Sequence, residues 1–450
     1  MFSKRLFALV GIVVSVHAWC CTSNAQGLPT PPARYGHSAV YDPIRQRMVV
    51  FAGNDGFDYL FNDCWSVPLT DTTIWTRLSP TGTLPRGRSF QSAVFDPVRN
   101  RLLVFGGTGA TGNLDELWEL SLSGPPAWTK LDPVGPPPSP RAYQSAIYDP
   151  VQDRMLVFGG IDDTGPLNEV WALSLGSTPA WTPLPVTGSP PSQRLLQSAV
   201  FDSRRNRMVV FGGSTLFTYF DDCWALTLSS GSGDWAMITT TGTPPLKRNG
   251  HAAIYDPIGD RMMIFCGWGI NQAPRNDVWT LNFSGSPTWT ELAPSGTVPN
   301  ERTIASAILD APRNRMIVFG GVGDGELPCF DDVWSLPLLQ SPAWTQLVPG
   351  TETPWETDPT SFLLAPTPNP CSGSLKVRYT VAKTGRVLLG VYDLSGRLIR
   401  KLLEGEHTEG VDEATWDGSK ESGSPVESGV YFLRMTAPGF EGTRRVLLIR

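Results

Sequence analysis

The stretch "RMVVFGGSTLFTYFDDCWALTL", Arg207 to Leu228, decides the fold. An apolar run ends in two glycines, a polar and aromatic stretch follows, and an acidic pair leads to a tryptophan and a second apolar run. The phrase is not unique. Arg101 to Leu120 reads "RLLVFGGTGATGNLDELWEL", Arg154 to Leu173 reads "RMLVFGGIDDTGPLNEVWAL", and weaker copies begin at Arg47, Arg261 and Arg315. The tryptophan recurs as Trp65, Trp118, Trp171, Trp224, Trp279 and Trp334, a period of 53 to 55 residues. A second one follows about ten residues later, as Trp75, Trp128, Trp181, Trp235, Trp289 and Trp344. A period near 50 with Gly-Gly and Trp marks is the sequence sign of a propeller array.

One unit, Arg88 to Pro133, shows how such a blade is built. "FQSAVFD" is a strand, "DPVRNR" a tight turn, "RLLVFGG" a second strand, and "ELWELSL" and "AWTKL" a third and fourth. The first two read as continuous apolar runs, as expected of sheets packed on both faces by neighbours. The glycines let the backbone bend at positive φ and pass close to a bulky side chain. Blade 1 has Ala52 and blade 5 has Cys266 at the first Gly, so only the second is strictly needed. The turn aspartates Asp42, Asp96, Asp149, Asp202, Asp256 and Asp310 each precede an arginine by five residues, which predicts an ion pair at the hairpin end of every blade.

These marks resemble the kelch repeat over roughly Pro32 to Pro349. The resemblance implies an all-β, six-bladed kelch-type β-propeller, related to the galactose-oxidase-like propellers. Each unit holds its four strands in order, so the ring is expected to close by packing of blade 6 on blade 1, without a strand from the far terminus. The domain reading is a signal peptide over 1–25, the propeller over 28–349, a Pro/Thr-rich linker over 350–362 and a small Ig-like β-sandwich over 363–450.

The first residues carry Lys4 and Arg5, an apolar stretch Leu6 to Val16, and Ser23-Asn24-Ala25. That is a secretory signal with cleavage expected after Ala25, and eleven residues are too few to span a bilayer. Cys20 and Cys21 raise a lipoprotein alternative, against which stands Trp19 where a small residue is wanted. No other segment reads as a membrane span. The five later cysteines, Cys64, Cys223, Cys266, Cys329 and Cys371, are scattered, with no CxxC. Buried thiols are favoured over zinc ligation. The net charge of −6 and the lack of a basic run exclude the footprint of a nucleic-acid binder. The expectation is an exported, secreted or surface-bound monomer.

Chain direction puts the long loops between strands two and three, and those from strand four to the next blade, on one face. In blade 1 the first kind carries Phe57, Tyr59 and Phe61, in blade 4 Phe217, Tyr219 and Phe220, and in blade 5 Trp268. Such aromatics suit stacking on sugar rings or clamping a peptide, and the plainer reading is that they fold back as lids. Arg34, Arg88, Arg141, Arg194, Arg248 and Arg302 precede strand one in each blade and would ring this face for an anionic ligand; the plainer reading is that they bond loop carbonyls. His37 and His251 open strand one in blades 1 and 5, where Gln91, Gln144 and Gln197 open blades 2 to 4. They stand two blades apart, too far to share a metal, and nothing matches the copper ligands of galactose oxidase. Asp162-Asp163 and Asp324 with Glu326 offer loop oxygens that suit calcium, but they lack a defined ligand spacing. No catalytic motif or cofactor is read.

From residue 363 the Trp period is gone and "SLKVRYTV", "RVLLGVYD", "RLIRKLLEG", "EATWDG", "GVYFLRM" and "RRVLLIR" read as strands joined by Gly-rich turns. Pro368-Asn369-Pro370, Tyr392 to Arg397 with Asp393 and Gly396, Trp416-Asp417-Gly418, and Gly429 with Tyr431 resemble the C-terminal sorting domain of type IX secretion cargo and the related Ig-like domain of the flagellar hook cap. The first resemblance implies an outer-membrane export machine as partner, often with removal of the domain; under the second the domain stays as a spacer. The functional expectation is an exported binding protein with a glycan or protein ligand on the long-loop face. A secreted carbohydrate-active enzyme is the alternative, because acids and arginines drawn from several blades can assemble a site that a linear reading does not see.

Overall fold

In the computed structural model the described residues are 30–449, apart from 57–58, 71–72, 272, 325–328, 339–341, 351–361, 364–370 and single positions at 372, 382, 395, 409 and 439. The signal segment, Phe57, Glu326, Asn369 and most of the linker lie outside them. Within them the chain is all-β, with a 3₁₀ turn at Ala311–Arg313. No helix is long and apolar enough to cross a membrane.

Six sheets each contain four sequential antiparallel strands. Blade 4 is typical: Ser198–Asp202, Arg207–Phe211, Cys223–Leu228 and Gly233–Met237. The first strands of successive blades neighbour one another, and the sixth, Ser306–Asp310, returns to the first, Ser38–Asp42. Six strands meeting at one axis are crowded, which explains the Ser-Ala or Ala-Ala pair that starts each of them.

The hairpin-end pair forms in every blade. The Asp–Arg contacts at the six turns lie between 2.7 Å (Asp310 with Arg315) and 3.0 Å (Asp42 with Arg47). The aspartate's other oxygen accepts turn N–H groups in most blades, as Asp42 does from Ile44 and Arg45, so one side chain both closes the turn and anchors the strand after it.

The second tryptophan of each blade joins it to the blade before. Trp128 packs on Phe51, Trp181 on Phe105, Trp235 on Phe158, Trp289 on Phe211 and Trp344 on Phe265, with ring centroids 4.7 to 5.2 Å apart. Trp75 on Phe319, at 5.0 Å, completes the circle between blades 1 and 6. That junction is sealed by Met48, Val50 and Leu69 against Ile308, Ile317 and Val333 and by a bond from Arg34 N–H to the Phe330 carbonyl. Every strand of these two sheets belongs to its own blade.

One layer of order was not legible in the sequence. Each outgoing connection runs parallel to the fourth strand of the next blade: Thr81–Gly82 pairs with Ala127–Leu131, Val186–Gly188 with Gly233–Met237, and three further connections make single bridges. A Cβ on Gly188 would lie 2.1 Å from the Trp235 carbonyl oxygen, so only glycine lets the connection cross the tryptophan.

The C-terminal unit has two sheets. Phe362–Leu363, Leu375–Val381 and Gly410–Trp416 form one, and Leu398–His407, Gly385–Tyr392, Gly429–Ala437 and Phe440–Leu448 the other. Their core holds Trp416, Val377, Leu389, Leu433 and Val446, all fully buried.

The two glycines after strand two are not equivalent. At the first position Ala52 and Cys266 adopt φ +62°, matching the +60° of Gly212. At the second, Gly213 has φ +89°, and a Cβ there would sit 2.9 Å from the Leu195 carbonyl oxygen and 2.8 Å from the Gln197 Cβ; a Cβ on Gly212 would meet one such close neighbour, the Arg248 carbonyl oxygen at 2.9 Å, at a position where Ala52 and Cys266 carry a Cβ in their own blades. Gly213→Ala is therefore expected to cost about 1–3 kcal/mol and Gly212→Ala distinctly less, as read from urea unfolding midpoints; equal costs would refute the assignment.

Candidate functional site

The acidic residue two positions before the first tryptophan is the key to the loop face. In blade 4, Arg194 lies fully buried. Its Nη1 and Nη2 donate to the two Asp222 oxygens at 2.7 and 2.9 Å, Nη1 also reaches the Gly212 carbonyl at 2.9 Å, and Nε reaches the Ser192 carbonyl. The Trp224 indole N–H donates to the same carboxylate at 2.7 Å. Arg34–Asp63–Trp65, Arg248–Asp277–Trp279 and Arg302–Asp332–Trp334 repeat this fork. Arg88 and Arg141 use the longer Glu116 and Glu169.

The six arginines thus correct the expectation of an anion-binding ring. Arg34, Arg88, Arg141, Arg194, Arg248 and Arg302 are all inside, and each is taken by a carboxylate of its own blade. Burial works against ionisation of Asp222, but the Arg194 guanidinium and the Trp224 N–H outweigh it and hold the carboxyl below its ordinary range.

The aromatic candidates divide. Phe61 is buried, with the Arg34 guanidinium 4.1 Å from its ring centroid, and Phe220 covers Arg194 likewise at 4.4 Å. These two are lids. Tyr219 and Trp268 are half-buried. Tyr59, 59% exposed, leans edge-on against Phe61. Phe217 is 92% exposed, beside Leu216 at 63%. Free apolar surface in this set therefore belongs to the loop tips of blades 1 and 4, and Ile270, 52% exposed, adds to it in blade 5. The Asp162 carboxylate is occupied by Ser139 and Thr164.

The sorting-motif residues build turns and core. Trp416 is fully buried and donates to the Ser419 carbonyl. Asp417 accepts from the Ser419 N–H, Asp393 from the Arg397 N–H, and Gly396 and Gly418 take positive φ at these bends. Tyr431 lies edge-on to Trp416 and donates to the Glu427 carbonyl, in the strand that Gly429 opens.

Where the first strands begin, on the long-loop face, the axis holds a cavity of about 140 Å³ lined by residues 36–37, 90–91, 143–144, 196–197, 250–251 and 304–305. His37 and His251 are buried there, each with Nε2 2.8 Å from a serine hydroxyl of the preceding blade, Ser306 and Ser198. Burial, helped by Arg34 and Arg248 respectively, lowers both imidazoles to about 3, so they are neutral. The three glutamines make the matching bond through Nε2. The other end of the axis opens into an apolar funnel of about 400 Å³ that includes Tyr41, Phe95, Tyr148, Phe201, Tyr255 and Leu309. The sequence marks the His/Gln position but not the convergence of six such positions on one cavity. Cys64, Cys223, Cys266, Cys329 and Cys371 are all buried, the Cys329 thiol donating to the Asp55 carbonyl, and burial raises the Cys64 and Cys223 thiols to about 12.

Residues 11–125, 125–235 and 231–365 match the family described as the KLHDC2/KLHL20/DRC7 Kelch-repeats domain, and the chain belongs to this kelch-repeat family. Residues 372–439 match the FlgD Ig-like domain. Among curated proteins, multiple epidermal growth factor-like domains protein 8 of Mus musculus is 30% identical over 266 residues, 54% of this chain and 9% of the relative. Acyl-CoA-binding domain-containing protein 5 of Arabidopsis thaliana is 29% identical over 283 residues, 60% of this chain and 41% of the relative. The chain thus spans less than half of these relatives. The solved structure of YjhT superimposes with a TM-score of 0.55 at 14% identity, over 70% of this chain and 98% of that one, and shares the fold.

Two outcomes follow from the buried groups. Asp222→Ala strands the Arg194 charge inside and is expected to cost about 3–5 kcal/mol, against about 1 kcal/mol for Trp224→Phe, which loses a hydrogen bond; denaturant midpoints decide between them. The unfolded chain takes up protons on both histidines below about 6.5, while the folded chain refuses them until about 3. Stability should therefore fall as pH drops through that window, and His251→Gln should flatten the slope of urea midpoint against pH.

Proposed function

We propose that this chain is an exported binding protein whose propeller holds a glycan or protein ligand on its long-loop face. The supporting observation is the exposure of Phe217, Leu216 and Tyr59 at the tips of loops whose bases are fixed by buried ion pairs. Exposed apolar side chains presented on a rigid scaffold are the usual form of an interaction site. In this reading the C-terminal domain addresses the protein to an outer-membrane export machine, which the likeness of its turns to type IX sorting domains supports, and the mature protein lies outside the cell or on its surface.

A glycan, peptidoglycan and protein array probed with the mature chain tests the binding role. Phe217→Ala combined with Tyr59→Ala should weaken a hit at least tenfold and leave the unfolding midpoint nearly unchanged, since exposed substitutions of this kind stay within about 0.5 kcal/mol. Binding untouched by the pair would sink the loop-tip assignment, and chemical turnover of the hit would move the reading to an enzyme. Deleting 363–450 should leave the propeller folded in the periplasm; the truncated protein at normal yield outside the cell would end the export role.

A further inference from the structure

The hairpins between strands one and two form the inner ring of the face opposite the long loops, and all six are the same turn. Strand one ends on the aspartate that pairs with the arginine five residues on. The residue before that arginine is left-handed in every blade, with φ between 46° and 51°. Identical turns around one ring bring their tips to one level. The tip residues, two positions after each aspartate, are Ile44, Val98, Val151, Arg204, Ile258 and Pro312. The four aliphatic ones are 60 to 69% exposed. The turn does not ask for them, since an arginine and a proline serve it in blades 4 and 6, and side chains this exposed add little to packing. A ring of branched aliphatic side chains held out in solvent marks a contact surface.

Charge divides between the two faces. Beyond the six Asp–Arg pairs, the inner hairpins hold Arg45, Arg99, Arg204, Arg205 and Arg313 against Asp153 and Asp260, a surplus of three positive charges on a chain whose net charge is −6. Arg204 is the most open of the five, with 51% of its side chain exposed, and the other four are about one-third exposed. The outer hairpins, between strands three and four, add Asp234 among the described residues and no base. The long-loop face has the opposite sign. Beyond the clamped carboxylates, its loops between strands two and three carry further acids in blades 1 to 4 and 6, among them Asp55, Asp115, Asp162, Asp221 and Asp331, against the one base Arg275.

We propose that the hairpin face docks the propeller on an anionic lipid surface, with the aliphatic tips entering the headgroup boundary and the arginine ring facing lipid phosphates. Four of the arginines are tied to turn aspartates, so the membrane meets their surplus rather than single guanidiniums, an attraction that salt screens. A soluble polyanion uses the charge and leaves the aliphatic tips in water, whereas a lipid surface takes up both. Tips at one level suit a flat partner. Docked this way, the propeller turns its acidic long-loop face away from the membrane.

The test is cosedimentation of the full mature chain with vesicles of phosphatidylcholine alone and of an equal mixture of phosphatidylcholine and phosphatidylglycerol. Binding is expected on the anionic vesicles at low salt, at least tenfold weaker on phosphatidylcholine alone, and lost in molar salt. Val98→Ser with Ile258→Ser should weaken it at least tenfold. Arg204→Gln should weaken it about fivefold, the effect of one basic charge near an anionic surface. All three substitutions lie in solvent, so the melting temperature should stay nearly unchanged. No binding to the anionic vesicles at low salt overturns the proposal. Binding untouched by the hairpin variants, or lost instead in Phe217→Ala with Tyr59→Ala, also overturns it and moves the contact to another surface. Capture by dextran sulfate with none by vesicles overturns it as well and assigns the ring to a soluble polyanion.

Discussion

A guanidinium with no exposed surface is tolerated only when carboxylate and carbonyl oxygens meet its donors, and this molecule contains six. Five of them tie together three points far apart in sequence: the backbone at the first Gly position, the acidic residue before the first tryptophan, and the chain entering strand one; Arg141 makes the last two of these ties only. In blade 4 these are Gly212, Asp222 and Ser192. The loop between strands two and three is gripped at both of its ends by one side chain. That grip explains why the Gly-Gly and Trp marks keep their register while the residues between them vary.

The clamp works within a blade, and the second tryptophan works between blades. Each rests on the phenylalanine that precedes the Gly position of the neighbour, so the two conserved marks of one unit are read by the next. The outgoing connection then crosses that tryptophan's carbonyl through a glycine and adds parallel hydrogen bonds to the same outer strand. Since Trp75 and Phe319 repeat the contact at the closing junction, the ring needs no shared strand.

Rigid bases leave the tips free. Phe61 and Phe220 are used to cover buried arginines, and this is why Phe217, Leu216 and Tyr59 stand out in solvent. The axial mouth obeys a second rule. Its backbone is sixfold, with a left-handed residue before each first strand, but its side chains are not: glycine holds that position in blades 1 and 5, and Phe90, Tyr143, Leu196 and Ile304 hold it in the others.

The sequence by itself determined the repeat, the strand order within each blade, the hairpin-end Asp–Arg pairs and the greater need for the second glycine, because these depend on contacts within one unit and recur in every copy. It also marked the C-terminal strands and their turns, where Asp393, Gly396 and Gly418 act locally. Only the tertiary structure decided the fate of the arginines, because burial depends on the carboxylate some 28 residues downstream folding back beside each of them, and a linear reading places both on the surface. The same holds for Phe61 against Phe217, similar in sequence and opposite in exposure. It holds too for the axial cavity, since His37, Gln91, Gln144, Gln197 and His251, from five blades, line it together only after the ring has closed.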